Sequence, residues 1–314
     1  MKPSKTTTKA TLCCALLAVV SNLATPDLFA DNNANGHAFW TIDGNPADIT
    51  AIDQEIWIPV PAKGMQWVLY WAFETASNAG GYLGFNADAD GKAQMIFSIW
   101  GATASLGYEG APCLSFDEDG PVRSCRRPVS LNEKAFYRLH LERTKVEADG
   151  VWWSASISEV TPDDGKRIDH PIGAHQTPPD VTFVRGASLD SFIEYFGNET
   201  ACSAVPVSGF YASEPQANPK SLDLGYHYTA KIQSLVGGDD CKLGTEKTGA
   251  SFRGQSGLVQ YDGWKEIYPD TLPSARGIFL FLGGPKEKLD IGTIMKGVPA
   301  LKRTAVVWKV QDQE

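Results

Sequence analysis

The sequence predicts an all-β fold, an antiparallel β-sandwich of jelly-roll type. Apolar and polar residues alternate in several short stretches, and a period of two is typical of half-buried strands. The dipeptide Asp-Gly occurs six times between such stretches and favours the tight turns of β-hairpins. Helical periodicity is nearly absent, because the one amphipathic candidate, 188–196, is equally compatible with a turn followed by a strand.

Alternation defines each predicted strand. In residues 67–73 every second side chain is large and apolar, which predicts a strand with one face in the core. Those side chains are Trp67, Leu69, Trp71 and Phe73. The same pattern predicts strands within 95–99, 137–142, 151–160 and 305–310. The apolar run 278–282, between Gly277 and Gly283, is predicted to be a further buried strand.

Composition excludes several classes of protein. The 314 residues are 43% hydrophobic and 21% charged, which is typical of globular proteins and argues against disorder, collagen and coiled coil. An excess of 37 acidic over 28 basic residues argues against a nucleic-acid partner. No apolar run approaches the roughly 20 residues of a membrane-spanning helix, so no membrane span is predicted.

The first thirty residues are predicted to be a secretory signal peptide. Three lysines precede the short apolar segment 12–20, which small residues follow. Ala30 is the preferred cleavage site and Ala24 the alternative. The protein is therefore predicted to be secreted, either extracellular or periplasmic. Residues 31–200 are predicted to form the sandwich, and 201–314 a β-rich region that either belongs to it or forms a smaller subdomain.

Four cysteines remain after residue 30, namely Cys113, Cys125, Cys202 and Cys241. An even number in an exported chain indicates two disulfides, for which three connectivities are open. Pairing of neighbours, Cys113 with Cys125 and Cys202 with Cys241, is the simplest. A metal site is disfavoured because no C-x-x-C pair is present.

Two stretches resemble the paired strands of a known family. Residues 80–84 read GGYLG and residues 95–100 read MIFSIW. They are similar to the GGYxG and (I/L)FS(I/V)W motifs of exported bacterial and fungal proteins described only as a domain of unknown function. The resemblance covers roughly residues 40–245, including a Glu-Gly loop at 107–110 and the segment 192–197. It implies a β-rich fold, export, local disulfide pairing and a glycan ligand, but no particular reaction.

Flat aromatic rings are the main functional signal. Trp152 falls on the polar face of its predicted strand, and Trp57 shares a face with Glu55. Sugars pack their C–H groups on such rings, so a secreted protein that binds carbohydrate or a cell-surface glycan is predicted. Its predicted ligand-binding residues are Trp57, Trp152, Tyr108 and Glu109. Burial of both tryptophans under neighbouring segments is the alternative.

The sequence is also compatible with two other functions. A glycan-cleaving enzyme, either a glycoside hydrolase or a lyase, would use Glu109 and Glu194 as its catalytic pair, provided that their carboxyls lie roughly 5–10 Å apart. A secreted effector that binds another protein is the third candidate.

No cofactor is predicted. Asn86, Asp88 and Asp90 mimic the start of a calcium loop, but its twelfth position is Phe97 where a glutamate is needed, so a polar hairpin is favoured and calcium is the alternative.

Overall fold

Antiparallel strands make up nearly all of the chain that the computed structural model describes. The described residues are 35–42, 44, 46, 48–75, 79–117, 120–161, 166–197, 205–219, 226–237, 259–260 and 277–282. All of them belong to one compact unit, Asn32–Glu314. Since these residues contain no helix and their strands form two packed antiparallel sheets, the predicted β-sandwich is confirmed.

Seventeen strands are present among the described residues. They are β1 Asn35–Ile42, β2 Ala51–Val60, β3 Met65–Phe73, β4 Gly80–Ala87, β5 Ala93–Trp100, β6 Ala104–Gly107, β7 Cys113–Asp117, β8 Pro121–Pro128, β9 Phe136–Glu147, β10 Gly150–Val160, β11 Arg167–Thr177, β12 Val184–Tyr195, β13 Ser208–Ser213, β14 Gln216–Pro219, β15 Tyr226–Gly237, β16 Val259–Gln260 and β17 Gly277–Leu282. The candidate helix at 188–196 is thus a strand, and the predicted strand at 278–282 is β17.

The strands form two sheets that share β15. Sheet A has the order β15-β1-β12-β3-β4-β5-β8-β7. Sheet B has the order β6-β11-β10-β9-β2-β13-β17-β16, and β14 links β2 to β15. Strands that follow residue 201 therefore pair with strands from the beginning of the chain.

The core lies between the two sheets and is rich in aromatic residues. The alternate residues of β3 that were predicted to face inward are buried, as are their counterparts in β5, β9 and β10. Phe73 packs on Trp153 with ring centroids 4.9 Å apart, and Phe85 packs on Tyr137 at 4.7 Å. Each of these contacts joins a strand of sheet A to a strand of sheet B.

The predicted Asp-Gly hairpin turns are confirmed at two positions, Gly91 (φ 83°) between β4 and β5 and Gly120 (φ 128°) between β7 and β8. Gly44 also has a positive φ of 78°, but it lies between β1 and β2, which are not paired with each other among the described residues, so the hairpin predicted there is wrong. A fourth prediction is also wrong. Between β9 and β10 the turn is formed by Ala148 and Asp149, and Gly150 already pairs with Glu147. Gly150 is needed for space instead, because a Cβ atom there would lie 2.6 Å from the carbonyl oxygen of Thr177. The pairs at 164–165 and 262–263 lie outside the described residues.

A disulfide joins β7 to β8. Cys113 and Cys125 are directly opposed in the register and are bonded to each other, which confirms this part of the predicted pairing. Cys202 and Cys241 lie outside the described residues, as do the segments 1–30 and 305–310. No helix long and apolar enough to cross a bilayer occurs among the described residues.

Removal of this disulfide should destabilise the fold. The bond closes a loop with a sequence separation of 12 residues, and we expect Cys113→Ala/Cys125→Ala to lower the free energy of unfolding by about 2–3 kcal/mol. Urea denaturation followed by tryptophan fluorescence measures the change. Ser115→Ala, an exposed substitution on the same strand, is the control and should change stability by less than about 0.5 kcal/mol. Equal midpoints for the two variants would contradict the expectation.

Candidate functional site

The inward face of sheet A contributes apolar side chains to the core. Its outward face carries polar and aromatic side chains. Strand pairing places three rows of residues across this face: Asn35, Glu194, Gln66 and Asn86; then His37, Phe192 and Val68; then Phe39, Asp190, Tyr70 and Tyr82. Trp100 lies on the same face of β5. We call this surface the acceptor face, because several of its buried oxygen atoms can accept a hydrogen bond.

The first row is built from amides and one carboxylate. The side-chain amide of Gln66 donates to Oε2 of Glu194, which is 9% exposed. Oδ1 of Asn35 and Oδ1 of Asn86 are both buried and have no hydrogen-bond partner among the described residues. Each leaves an acceptor that a ligand could satisfy.

His37 and Asp190 form a buried ion pair in the middle of the face. Nδ1 of His37 lies 2.7 Å from Oδ2 of Asp190, and Asp190 is only 2% exposed. Burial opposes the charged imidazolium, but the carboxylates of Asp190 and Glu194 outweigh it and raise the pKa of His37. The other oxygen of Asp190, Oδ1, is buried without a hydrogen-bond partner among the described residues. The pair therefore satisfies only one of the two carboxylate oxygens of Asp190.

Aromatic rings surround this ion pair. The ring of His37 stacks on Phe39 at 5.7 Å and lies 5.1 Å from Phe192. Further along the face, the ring of Trp100 makes edge contacts with Tyr70 at 6.1 Å and Tyr82 at 5.2 Å. Burial, together with the nearby Asp190 carboxylate, raises the pKa of Tyr70 to about 12, so its hydroxyl stays protonated. Trp100 and Phe39 are half-buried, which leaves ring surface at both ends of the face.

A second group of charges lies on the outward face of sheet B, and its members satisfy one another. Asp53 accepts from Arg138 and from His140, whose Nδ1 lies 2.6 Å away. Burial would raise the pKa of Asp53, but these two partners hold it below its usual value. Burial would likewise lower the pKa of His140, but hydrogen bonds to Asp53 and Glu142 raise it to about 9. The hydrogen bonds of Asp53, Arg138, His140 and Glu142 thus form a network within this group. The neighbouring carboxyl of Glu55 is not fully satisfied by it.

Glu55 carries a buried carboxyl oxygen, Oε2, that has no hydrogen-bond partner among the described residues. Burial raises the pKa of Glu55 to about 7, although the Arg138 guanidinium acts in the opposite direction. This carboxyl is therefore protonated in mildly acidic solution.

The structure does not bring Trp57 and Trp152 together on an open surface. Both point outward from sheet B as their alternation predicted, but Trp57 is only 2% exposed and its Nε1 donates to the carbonyl of Glu133. Its ring also lies 6.0 Å from Phe136. Trp152 is half-buried and donates to Glu147 at 2.8 Å. A ring as enclosed as that of Trp57 offers no face to a sugar, so the buried alternative describes it.

Glu109 and Glu194 are also far apart. Tyr108 and Glu109 lie in the exposed loop between β6 and β7, where the carbonyl of Glu109 accepts from Arg127 on β8. Glu194 lies on β12, and four strand spacings of about 4.8 Å, or about 19 Å, separate β12 from β8 in sheet A. This arrangement does not assemble the carboxyl pair that the sequence suggested for a glycan-cleaving enzyme.

The three residues of the calcium motif do not converge. Asp88 Oδ1 accepts from the backbone N–H groups of Asp90 and Lys92, and Asp90 pairs with the Lys92 ammonium at 3.4 Å. Asn86 instead points onto the acceptor face. No group of three or more His, Cys, Asp or Glu that could hold a metal occurs within the described ranges. A groove of about 800 Å³ opens nearby, but its lining contains no carboxylate and only Lys63 and Lys92 as charged groups.

Sequence reasoning missed Asn35, His37 and Asp190 altogether. These side chains meet because β1 pairs with β12 across 153 residues of sequence, and no local spacing signals such a pairing. Tyr82 and Trp100 could have been found, because both lie in the two motifs that carry the family resemblance and alternate with core residues there.

Comparison with known proteins does not assign the chain to a family. No family model and no curated protein matches it. Among solved structures it is similar to a scytalido-glutamic peptidase bound to a transition state analogue inhibitor, at TM-score 0.32 and 11% identity over 65% of this chain and 88% of the peptidase. SCP-B, an Eqolisin-family peptidase solved with a tripeptide, matches at TM-score 0.32 and 10% identity over the same shares.

Tailspike protein 2 of bacteriophage CBA120 matches at TM-score 0.28 and 18% identity, over 55% of this chain and 23% of the tailspike domain. Similarity at this level transfers neither an activity nor a fold assignment to this chain.

The protonated Glu55 carboxyl should make stability depend on pH. Its pKa is higher in the folded chain than the usual value of 4.5, so its contribution is lost as pH rises from about 4.5 to about 7. We expect Glu55→Gln to gain stability relative to the wild type across this range and to hold that gain at higher pH. Urea unfolding at a series of pH values measures the difference.

Glu142→Gln provides a control of opposite sign. The hydrogen bond from His140 lowers the pKa of Glu142, so this substitution should cost stability once pH exceeds about 4.5. A stability difference between Glu55→Gln and the wild type that is independent of pH would show that Glu55 has the same pKa in the folded and unfolded chain, which would contradict the expectation.

Proposed function

We propose that this protein binds carbohydrate on the acceptor face of sheet A. The observation that carries the proposal is a set of three buried acceptors, Oδ1 of Asn35, Asn86 and Asp190, that have no partner among the described residues and share one face. Each unsatisfied buried acceptor costs about 1–3 kcal/mol. A ligand that supplies hydrogen-bond donors recovers this free energy, and the hydroxyl groups of a sugar are such donors.

Aromatic rings beside these acceptors support the same ligand. Tyr82 and Trp100 lie in the motifs that resemble a family of exported proteins, and their rings make an edge contact at 5.2 Å. The C–H groups of a sugar ring pack on such π surfaces, while oxygen atoms at its rim form hydrogen bonds. The proposed site thus combines stacking surface and acceptors within one sheet.

A location outside the cytosol is part of the proposal. The disulfide between Cys113 and Cys125 supports it, because structural disulfides form and persist in oxidising compartments. The proposed partner is a polysaccharide or a cell-surface glycan.

Binding is favoured over cleavage by the spacing of the acids on this face. Asp190 and Glu194 are four residues apart on one strand, so their backbones are about 13 Å apart. Paired acids in glycosidases lie closer, at roughly 5–10 Å. The acceptor face therefore has the groups for recognition without the spacing for that hydrolysis.

Binding to an array of plant, fungal and bacterial glycans tests the proposal. We expect the purified full chain to bind at least one class, and Trp100→Ala to weaken that binding by about tenfold through loss of ring contact. Trp100→Phe keeps an aromatic ring and should retain most of the affinity.

Trp152→Ala tests which of the two sheets binds the glycan, because Trp152 lies on sheet B. It should bind like the wild type. Absence of binding to every glycan, or loss of binding in Trp152→Ala with retention in Trp100→Ala, would overturn the proposal.

A further inference from the structure

We propose that the sugars preferred by the acceptor face carry free amino groups, so that the ligand is a cationic glycan that contains glucosamine. This inference rests on the proposed carbohydrate binding and names its substrate class. It is carried by the surroundings of Asp190.

Asp190 presents a buried carboxylate oxygen to the face. Its Oδ2 is occupied by His37 at 2.7 Å, whereas Oδ1 is buried and has no partner among the described residues. A carboxylate oxygen only accepts hydrogen bonds, and an ammonium group offers three donors together with the complementary charge. Charge-assisted hydrogen bonds of this kind are roughly twice as strong as those between neutral groups. An ammonium group therefore satisfies Oδ1 better than a hydroxyl does.

The rings next to Asp190 favour a cation as well. Phe39 and Tyr70 are its direct neighbours on the two flanking strands, and the ring of Phe39 is only half-buried. The π faces of aromatic rings attract ammonium groups by about 0.5–2 kcal/mol. A carboxylate set among rings combines both sources of attraction at one point.

The net charge of this part of the face is negative. Asp190 and Glu194 contribute two carboxylates, and His37 contributes one imidazolium that they hold in its charged form. Among the described residues, Arg185, whose charge opposes the raised pKa of Tyr70, pairs with Glu74 at 3.3 Å. Arg126 lies five strands away from His37 in the same row and contacts the ring of Phe116 at 5.3 Å. A uronic acid would meet two carboxylates here and should be repelled.

N-Acetylation should weaken binding for the same reasons. An acetamido group has no charge, donates one hydrogen bond where the ammonium donates three, and adds a carbonyl oxygen that also needs a donor. All three unsatisfied atoms of the face are acceptors, so that carbonyl finds no complement among them. Glucosamine and N-acetylglucosamine oligomers of equal length thus differ only in whether the nitrogen at each sugar is a charged amino group or a neutral acetamido group.

Isothermal titration of the full chain with four probes tests the inference. The probes are a glucosamine hexamer, an N-acetylglucosamine hexamer, cellohexaose and a hexalysine peptide, all at about pH 6, where amino groups are protonated. We expect the glucosamine hexamer to bind about tenfold more tightly than the N-acetylated hexamer, and the preference to shrink as salt is added.

Asp190→Asn should abolish this preference while binding to cellohexaose persists, because it removes the negative charge that favours an ammonium group over a hydroxyl. Glu194→Gln is the second variant and should reduce the preference too, which keeps the test valid if Asp190→Asn does not fold. Glu133→Gln, which replaces an exposed carboxylate in the loop between β8 and β9, is the matched control and should leave the tenfold ratio unchanged.

The outcomes separate the inference from the proposed function. Equal affinity for the two hexamers overturns the inference and leaves carbohydrate binding standing. No binding to any of the three oligosaccharides overturns the inference, whereas the glycan array alone decides the proposed function. Tighter binding of hexalysine than of the glucosamine hexamer overturns the inference as well, because the cation would then belong to a peptide.

Discussion

The packing of two antiparallel sheets across one aromatic core is the constraint on which the rest of this structure depends. Contacts such as Phe73 on Trp153 fix which side chains of each strand point inward. Because side chains alternate along a strand, the core also determines which residues point outward. A slip of β12 by one residue would turn Asp190 into the core and expose its apolar neighbour Leu189. The chemistry of the acceptor face is thus held in place by hydrophobic packing on the other side of the same sheet.

The two outward faces solve the problem of buried polar groups in different ways. On sheet B, Asp53 uses both carboxylate oxygens for Arg138 and His140, and Glu55 alone in this group keeps a buried oxygen without a partner among the described residues. On sheet A, Asp190 uses one oxygen for His37 and leaves the other buried without a partner among the described residues. Unsatisfied buried acceptors cost free energy and are uncommon in folded proteins. Three of the seven buried polar side-chain atoms that lack a partner among the described residues lie on the acceptor face beside aromatic rings, and the proposed ligand site rests on this grouping.

Much of the fold could be predicted from local patterns, because alternation reports directly which side of a strand is apolar. Trp153 and Trp152 were placed on opposite faces of β10 in this way, and the structure confirms that placement. The same pattern could not show that Glu133 and Phe136 would enclose Trp57, since alternation identifies a side but not what covers it. Local patterns could not predict the acceptor face either, because His37 and Asp190 meet only through the pairing of β1 with β12.

A crystal structure of the full chain with a bound glucosamine oligomer tests the central claim most directly. The account predicts a sugar ring against Tyr82 and Trp100, and an amino group within hydrogen-bond distance of Asp190 Oδ1. A sugar bound on sheet B beside Trp152, or on sheet A with the Oδ1 atoms of Asn35, Asn86 and Asp190 all left uncontacted, would contradict it.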